Sequence, residues 1–180
     1  MELLKKSAET YKKYVNCNCI FKLDCELYIK VEIRAKYFHH LVGLQYLKDI
    51  AQVNPKLPHN SATDIYKKAL KGKILDESIQ KSEFYNKIHN RLLHFLDFDE
   101  VIHSKLIVDF DYTKLSKTSL LSRYLLYKEY EDGYAILGLK YDSKNDVYIP
   151  ETFIFESTDY YIKDQISYNV VDVILEHKKK

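Results

Sequence analysis

Tryptophan is absent from this chain of 180 residues, methionine occurs once, and glycine and proline number only 4 and 3. So little glycine and proline excludes collagen-like repeats, flexible linkers and low-complexity disorder. Long hydrophobic runs are missing too. The longest, Tyr134–Leu139, falls far short of the roughly 20 apolar residues that cross a bilayer. The opening Met-Glu-Leu-Leu-Lys-Lys lacks the basic start, apolar stretch and small-residue cleavage site of a secretory signal. Together these absences predict a soluble, cytoplasmic protein with no membrane partner. Cysteine is scarce and odd in number. Without an export signal, Cys17, Cys19 and Cys25 read as reduced thiols rather than as a disulfide framework. The Cys-x-Cys pair has no nearby fourth ligand. Two Asp-Phe-Asp triplets, Asp97–Asp99 and Asp109–Asp111, fall where a helix and a strand end. The expectation is therefore no metal and no other cofactor.

What is present is an ordinary globular composition, 46% hydrophobic and 30% charged. It is enough to bury a core and too short for two comfortable ones, so residues 1–180 read as a single domain. The net charge of +2 hides an asymmetry. Residues 1–75 carry 14 Lys and Arg against 7 Asp and Glu, and residues 76–180 carry 14 against 19. Such an imbalance can steer a polyanion toward one end of a fold; it is equally what an uneven, solvated surface looks like. Only three of the 28 basic residues are arginine: Arg34, Arg91 and Arg123. In so lysine-rich a chain, arginine is expected where a phosphate must be held bidentately.

The hydrophobic period changes along the chain. Leu4, Ala8, Tyr11 and Val15 predict a helix over residues 2–15. Leu27, Ile29, Val31 and Ile33 alternate with polar positions and predict a strand over 25–34, paired with Cys19–Leu23 across a turn at Asp24. Helical spacing returns over Tyr37–Gln52 and stops before Asn54-Pro55. Ser61 with Asp64 reads as a capping box opening a helix that Gly72 closes. A long helical stretch follows from Asp76 to about Ser104, with Phe84, Ile88, Leu92 and Phe95 as its buried stripe and a possible break near Lys81-Ser82. Strands are then predicted over 105–110, 123–130, 134–141, 147–155 and 168–176, with turns at Glu131-Asp132-Gly133 and Ser143-Lys144-Asn145. Helices and strands segregate. The fold class is α+β: N-terminal helices with a hairpin, followed by an antiparallel β-sheet, with no parallel βαβ unit.

General catalytic motifs are lacking: no glycine-rich phosphate loop, no Gly-x-Ser-x-Gly elbow, no His-Glu-x-x-His. The most distinctive stretch is Tyr37–Ile50, Tyr-Phe-His-His-Leu-Val-Gly-Leu-Gln-Tyr-Leu-Lys-Asp-Ile. On a helix, His40, Leu44 and Lys48 fall near one line, with Gly43 on the same side. Glycine inside a helix costs about 1 kcal/mol relative to alanine, which suggests close approach by another backbone or a ligand. Two readings stand. A histidine near neutral pKa with a lysine in reach suits proton transfer beside a phosphate; a helix-start histidine pair with a glycine that permits tight packing suits a core. On the long helix, His89 and Arg91 lie two positions apart and diverge by about 200°, so at most one of them faces a given site.

At that run the sequence resembles the phage-type group of the barnase–EndoU–colicin–RelE (BECR) nuclease superfamily. Three blocks carry the resemblance: Phe38–Ile50; Lys81-Ser82-Glu83-Phe84-Tyr85 continuing through Ile88 and Arg91-Leu92; and Thr152–Phe155 with Tyr161, Gln165 and Val170. Together they span nearly the whole chain. The resemblance implies a BECR-like α+β fold and metal-independent RNA cleavage, in which a ribose 2′-hydroxyl attacks its own phosphate to leave a 2′,3′-cyclic phosphate. It implies His40 as acid or base with His39 as the alternate, Lys48 or Arg91 stabilising charge, and Tyr161 and Gln165 positioning RNA. The expected function is that of a mobile-element endoribonuclease directed at tRNA or at a host defence RNA such as a CRISPR guide, free or within a ribonucleoprotein. The alternative is a non-catalytic anti-defence module that docks a host protein or ribonucleoprotein. The superfamily changes its catalytic residues freely, so the fold alone does not certify activity.

Overall fold

Aromatic side chains at helical spacing dictate how the first part of the chain packs. The structure, a computed structural model, describes residues 2–178. In α1 (Leu3–Lys12) the apolar positions Leu4, Ala8 and Tyr11 are all buried, as the spacing predicts. Tyr11 is the hub, with ring centroids 5.5 Å from Phe38, 6.0 Å from Tyr66, 6.0 Å from Phe95 and 5.4 Å from Phe98. Each such pair contributes about 0.5–1.5 kcal/mol beyond its buried area. The Tyr11 hydroxyl donates to the Arg34 carbonyl at 3.0 Å, so its burial leaves no polar atom stranded. The amino end of α1 is capped from a distance: the Asp76 carboxylate accepts from the backbone N–H groups of Leu3 (2.5 Å) and Leu4 (3.1 Å).

Two compact units divide the chain. The helical unit comprises residues to Val15 together with Arg34–Asp99; the other comprises Asn16–Ile33 together with the residues from Glu100 onward. In the helical unit, α3 (Ala62–Leu70) begins at the expected capping box, with Ser61 Oγ accepting from the Asp64 N–H and Asp64 returning to the Ser61 N–H. Gly72 follows at φ +65.

The continuous helix expected over Tyr37–Gln52 is not formed. Instead α2 (Phe38–Leu41) makes one turn, Gly43 ends it at φ +83, and 3₁₀ turns at Leu44–Tyr46 and Ala51–Val53 follow. Gly43 thus terminates a helix rather than weakening one, because the left-handed region is open to glycine at little cost. Its Cα also faces the later helices: a Cβ there would sit 2.8 Å from Ile88 Cγ2 and 3.1 Å from Arg91 Cδ. Gly43→Ala is expected to cost about 1–3 kcal/mol from strain and overpacking, lowering the melting temperature by about 2–10 °C when unfolding is followed by circular dichroism.

The expected long helix from Asp76 is likewise divided, into α4 (Asp76–Gln80), a 3₁₀ turn at Tyr85–Lys87, α5 (His89–His94), a 3₁₀ turn at Phe95–Asp97 and α6 (Phe98–Ile102). Asp49 enforces the break at Lys81-Ser82. Its carboxylate accepts from Ser82 Oγ at 2.6 Å and from the Glu83 N–H at 3.1 Å, taking a backbone donor out of the helical ladder. The Ser82 bond, aided by Glu83, holds the Asp49 carboxyl below the usual carboxylate range. Of the predicted stripe, Ile88, Leu92 and Phe95 are buried and Phe84 is half-buried.

All the strands belong to the second unit: β1 (Cys17–Leu23), β2 (Tyr28–Ile33), β3 (Leu106–Asp109), β4 (Tyr124–Tyr130), β5 (Gly133–Asp142), β6 (Val147–Glu156) and β7 (Ile166–His177). The hairpins fall where expected, β1 with β2, and β4–β5–β6 as an antiparallel meander. The sheet is not simply an open antiparallel one. It closes into a barrel in the order β1-β2-β6-β5-β4-β3-β7, and the β2–β6 pair is parallel, through the bridge Val31–Tyr148. Turn residues report hairpins, whereas closure joins the edges of separate hairpins and leaves no local signal. Val108, Phe110, Leu120, Leu125 and Ile136 form a core cluster in this unit. Cys17 and Cys19 are buried, and burial pushes the Cys19 thiol up to about 12, far from a reactive thiolate. No helix among the described residues is long and apolar enough to cross a membrane.

Candidate functional site

The sequence-predicted residues separate between the two units. His39, His40, Lys48 and Arg91 all lie in the helical one, and Tyr161 and Gln165 in the barrel. The helical unit's sequence carries 15 Lys and Arg against 9 Asp and Glu, the barrel unit's 13 against 17, so the positive charge sits with the histidines.

His39 and His40 are adjacent on a single helical turn and therefore face different ways. His40 is exposed. His39 is 5% exposed, with Nε2 2.8 Å from the Val53 carbonyl. A carbonyl can only accept, so Nε2 carries the proton and donates it. Burial holds this imidazole below its usual range, the Val53 bond opposes the shift, and His40 adds to it. His39 is thus a structural pin for the segment around Val53. The sign of its effect on stability follows. Below about pH 6.5 an unfolded His39 takes up a proton while the folded one stays neutral, so stability is lost as pH falls from there through the lowered folded pKa. His39→Gln keeps a donor for Val53. It is expected to flatten this part of the dependence of melting temperature on pH between 8 and 5.

Arg91 does what a lysine could not. Its guanidinium carbon lies 5.4 Å from the Tyr46 ring centroid, and Nη1 reaches the His40 carbonyl at 3.5 Å. The side chain is half-buried, and no carboxylate among the described residues is within ion-pair distance of it. Burial lowers its pKa, Tyr46 opposes the shift, and the group stays cationic. Its neighbour in sequence, His89, turns away to Tyr85, with ring centroids 5.5 Å apart, as the angular spacing requires. Lys48 is exposed on the rim of a cavity of about 380 Å³ that it shares with Lys56. Arg91 therefore meets the main-chain carbonyl of His40, while Lys48 is placed by the turns that follow Gly43 and not by the helical line that the sequence suggested.

In the barrel, Gln165 is spent on the backbone of Asp111: its Oε1 accepts from the Asp111 N–H at 2.9 Å and its Nε2 donates to the Asp111 carbonyl at 3.1 Å. Tyr161 packs against Phe110, 6.2 Å between centroids, at the margin of the core cluster. Arg123 forms an ion pair with Asp109 at 2.9 Å beside a cavity of about 310 Å³. Its charge is neutralised where that of Arg91 is not. Asp111 caps the turn at Thr113. Among the described residues no three His, Cys, Asp or Glu side chains are grouped so that they could hold a metal ion.

Sequence reasoning missed Tyr46, which forms the platform for Arg91, and Asn60, whose amide lies 3.3, 3.2 and 2.8 Å from the carbonyls of Ala51, Gln52 and Asn54. Neither leaves a local signal in the sequence, because the burial of Asn60 and the seat of Arg91 on Tyr46 exist only in the folded chain. The model of a family described as phage-Barnase-EndoU-ColicinE5/D-RelE like nuclease4 matches residues 3–180. No curated protein and no solved structure matches the chain.

Proposed function

The chain belongs to the phage-Barnase-EndoU-ColicinE5/D-RelE like nuclease4 family, and on that premise we propose that it is a metal-independent endoribonuclease of a mobile element. A ribose 2′-hydroxyl attacks its own phosphorus, the P–O5′ bond breaks, and the products are a 2′,3′-cyclic phosphate and a 5′-hydroxyl. His40 serves one of the two proton transfers and water the other. Arg91 stabilises the negative charge that builds on the phosphorane, and Lys48 holds a flanking phosphate. The observation that carries this reading is the half-buried guanidinium without a carboxylate partner, stacked on Tyr46 beside the turn that bears His40. A fixed, unneutralised cation of that kind is a site for a tetrahedral anion. The RNA target is tRNA or a host defence RNA such as a CRISPR guide.

One observation favours a second reading, a non-catalytic module that docks a host protein or ribonucleoprotein. Along β7, Ile166, Val171, Ile174 and Leu175 are all exposed, more apolar surface on one strand than a self-sufficient sheet presents. Incubation of the purified protein with total cellular RNA in EDTA, followed by analysis of fragment ends, tests the first reading. Fragments ending in 2′,3′-cyclic phosphate are expected. Cleavage only on restoring a divalent cation would overturn metal independence, and intact RNA with retained binding would favour the docking module.

A further inference from the structure

β7 is longer than the strand that flanks it. Of its twelve residues only the first four, 166–169, pair with β3, whereas residues 170–177 pair with β1. The Val170 N–H still donates to the Lys105 carbonyl at 2.8 Å, and beyond it no strand among the described residues runs along that edge. The phase of the ladder identifies the backbone groups left over. Leu23 N–H donates to the Leu27 carbonyl at 2.9 Å, so the odd-numbered residues of β1 bond β2. Its even-numbered residues Asn18, Ile20 and Lys22 then bond β7, at Glu176, Ile174 and Asp172. Val173, Leu175 and His177 therefore turn their N–H and carbonyl groups away from β1. The Val173 N–H donates instead to the Asp172 carboxylate at 2.8 Å, as an amide outside the ladder is free to do.

The side chains along this edge are unfinished in the same way. Val173 and Leu175 share a face with their cross-strand partners Phe21 and Cys19, which are fully buried, yet Leu175 is 37% exposed and Val173 only half-buried. The layer that covers β1 stops short of β7. On the opposite face Ile174 is 42% exposed. Open edges are ordinarily guarded by charges, proline or a bulge. Here the register shift beside Val170 and the Asp172 carboxylate guard only the start of the open stretch.

We propose that residues 173–177 pair antiparallel with the same residues of a second copy of this chain, about a two-fold axis at Leu175. Charge argues for a copy and for this register. A two-fold pair sets each residue against its counterpart across the axis: Leu175 meets Leu175, Val173 meets His177, and Asp172 meets Lys178, the last two twice over. Lys178 already pairs with Glu32 of its own chain, so it then lies between two carboxylates. An axis at Ile174 would instead set Asp172 against Glu176, a like-charge pair. The sheet runs on through the axis, and Val173 and Leu175 gain the cover they lack. Contact along one strand edge makes a small interface, so the dimer is reversible. This pairing goes beyond the nuclease reading and holds whether or not RNA is cut.

Sedimentation equilibrium of the purified full chain, from micromolar to submillimolar concentration, tests it. The mean mass is expected to rise from 21.4 kDa toward twice that value. Leu175→Pro removes an outward N–H and leaves the donors to β1 in place, the position on an edge strand that tolerates proline. It should hold the mass at that of one chain. Leu175→Lys keeps the backbone donor and sets two like charges at the axis, with the same expected result. A circular dichroism spectrum matching the parent's shows which variants are folded. A parent chain that keeps the mass of one copy throughout would overturn the proposal and leave the strand to a foreign partner. A dimer that persists in a folded Leu175→Pro or Leu175→Lys variant would overturn it as well.

Discussion

His40→Ala is expected to cut RNA about 10²–10⁴-fold more slowly than the parent protein, the usual range for loss of a general acid or base, with RNA affinity nearly unchanged. The side chain is exposed and lies outside the aromatic core around Tyr11 and Phe38, so its loss should leave the melting temperature in place. Single-turnover cleavage in EDTA, alongside a filter-binding isotherm, separates the two effects. A rate equal to that of the parent would remove this turn from the mechanism. Equal loss of binding, with no cleavage by the parent protein, would mark the surface as a docking site.

Arg91→Lys keeps the charge and should still lower kcat by about 10²–10³-fold, a loss comparable to removing one preorganised donor to a developing oxyanion. A lysine has neither the planar face that lies on Tyr46 nor the fork that aims several donors at one phosphate. Because the charge count is unchanged, the slope of affinity against salt should stay as it is. A fall in kcat with a constant salt slope is the expected signature. If KM alone rises, Arg91 binds substrate and transition state equally and is not a stabiliser of the phosphorane.

How much of this could be read beforehand depended on whether the signal was local. Ser61 with Asp64 and Gly72 delimited α3, because a cap is a matter of three or four neighbouring residues. The turns after Tyr130 and Tyr141 delimited the meander for the same reason. The segment from Tyr37 misled because apolar residues three or four apart suit a string of 3₁₀ turns as well as an α-helix. Only the left-handed Gly43 decided between them. The break near Lys81-Ser82 was legible, but its cause was not, because Asp49 lies 33 residues before Ser82 and no window along the chain contains both. In the site, His40, Lys48 and Arg91 were visible as residue types suited to phosphate chemistry. Tyr46 and Asn60 were not, since a platform and a pin are defined by what lies across from them.

The closed barrel bears on how the protein is made. β1 pairs with β7 from Cys17–His177 to Leu23–Val170, so a strand near the start of the chain waits for one near its end. A ribosome adding about 5–20 residues per second leaves the β1–β2 hairpin with open edges for several seconds or more. β3 waits as well, because its second neighbour is the same β7. Over that interval the nascent barrel offers unpaired backbone to any other extended chain. Its yield should therefore depend on holdase chaperones during synthesis, whereas the helical unit, built largely from Arg34–Asp99, is fully translated long before β7.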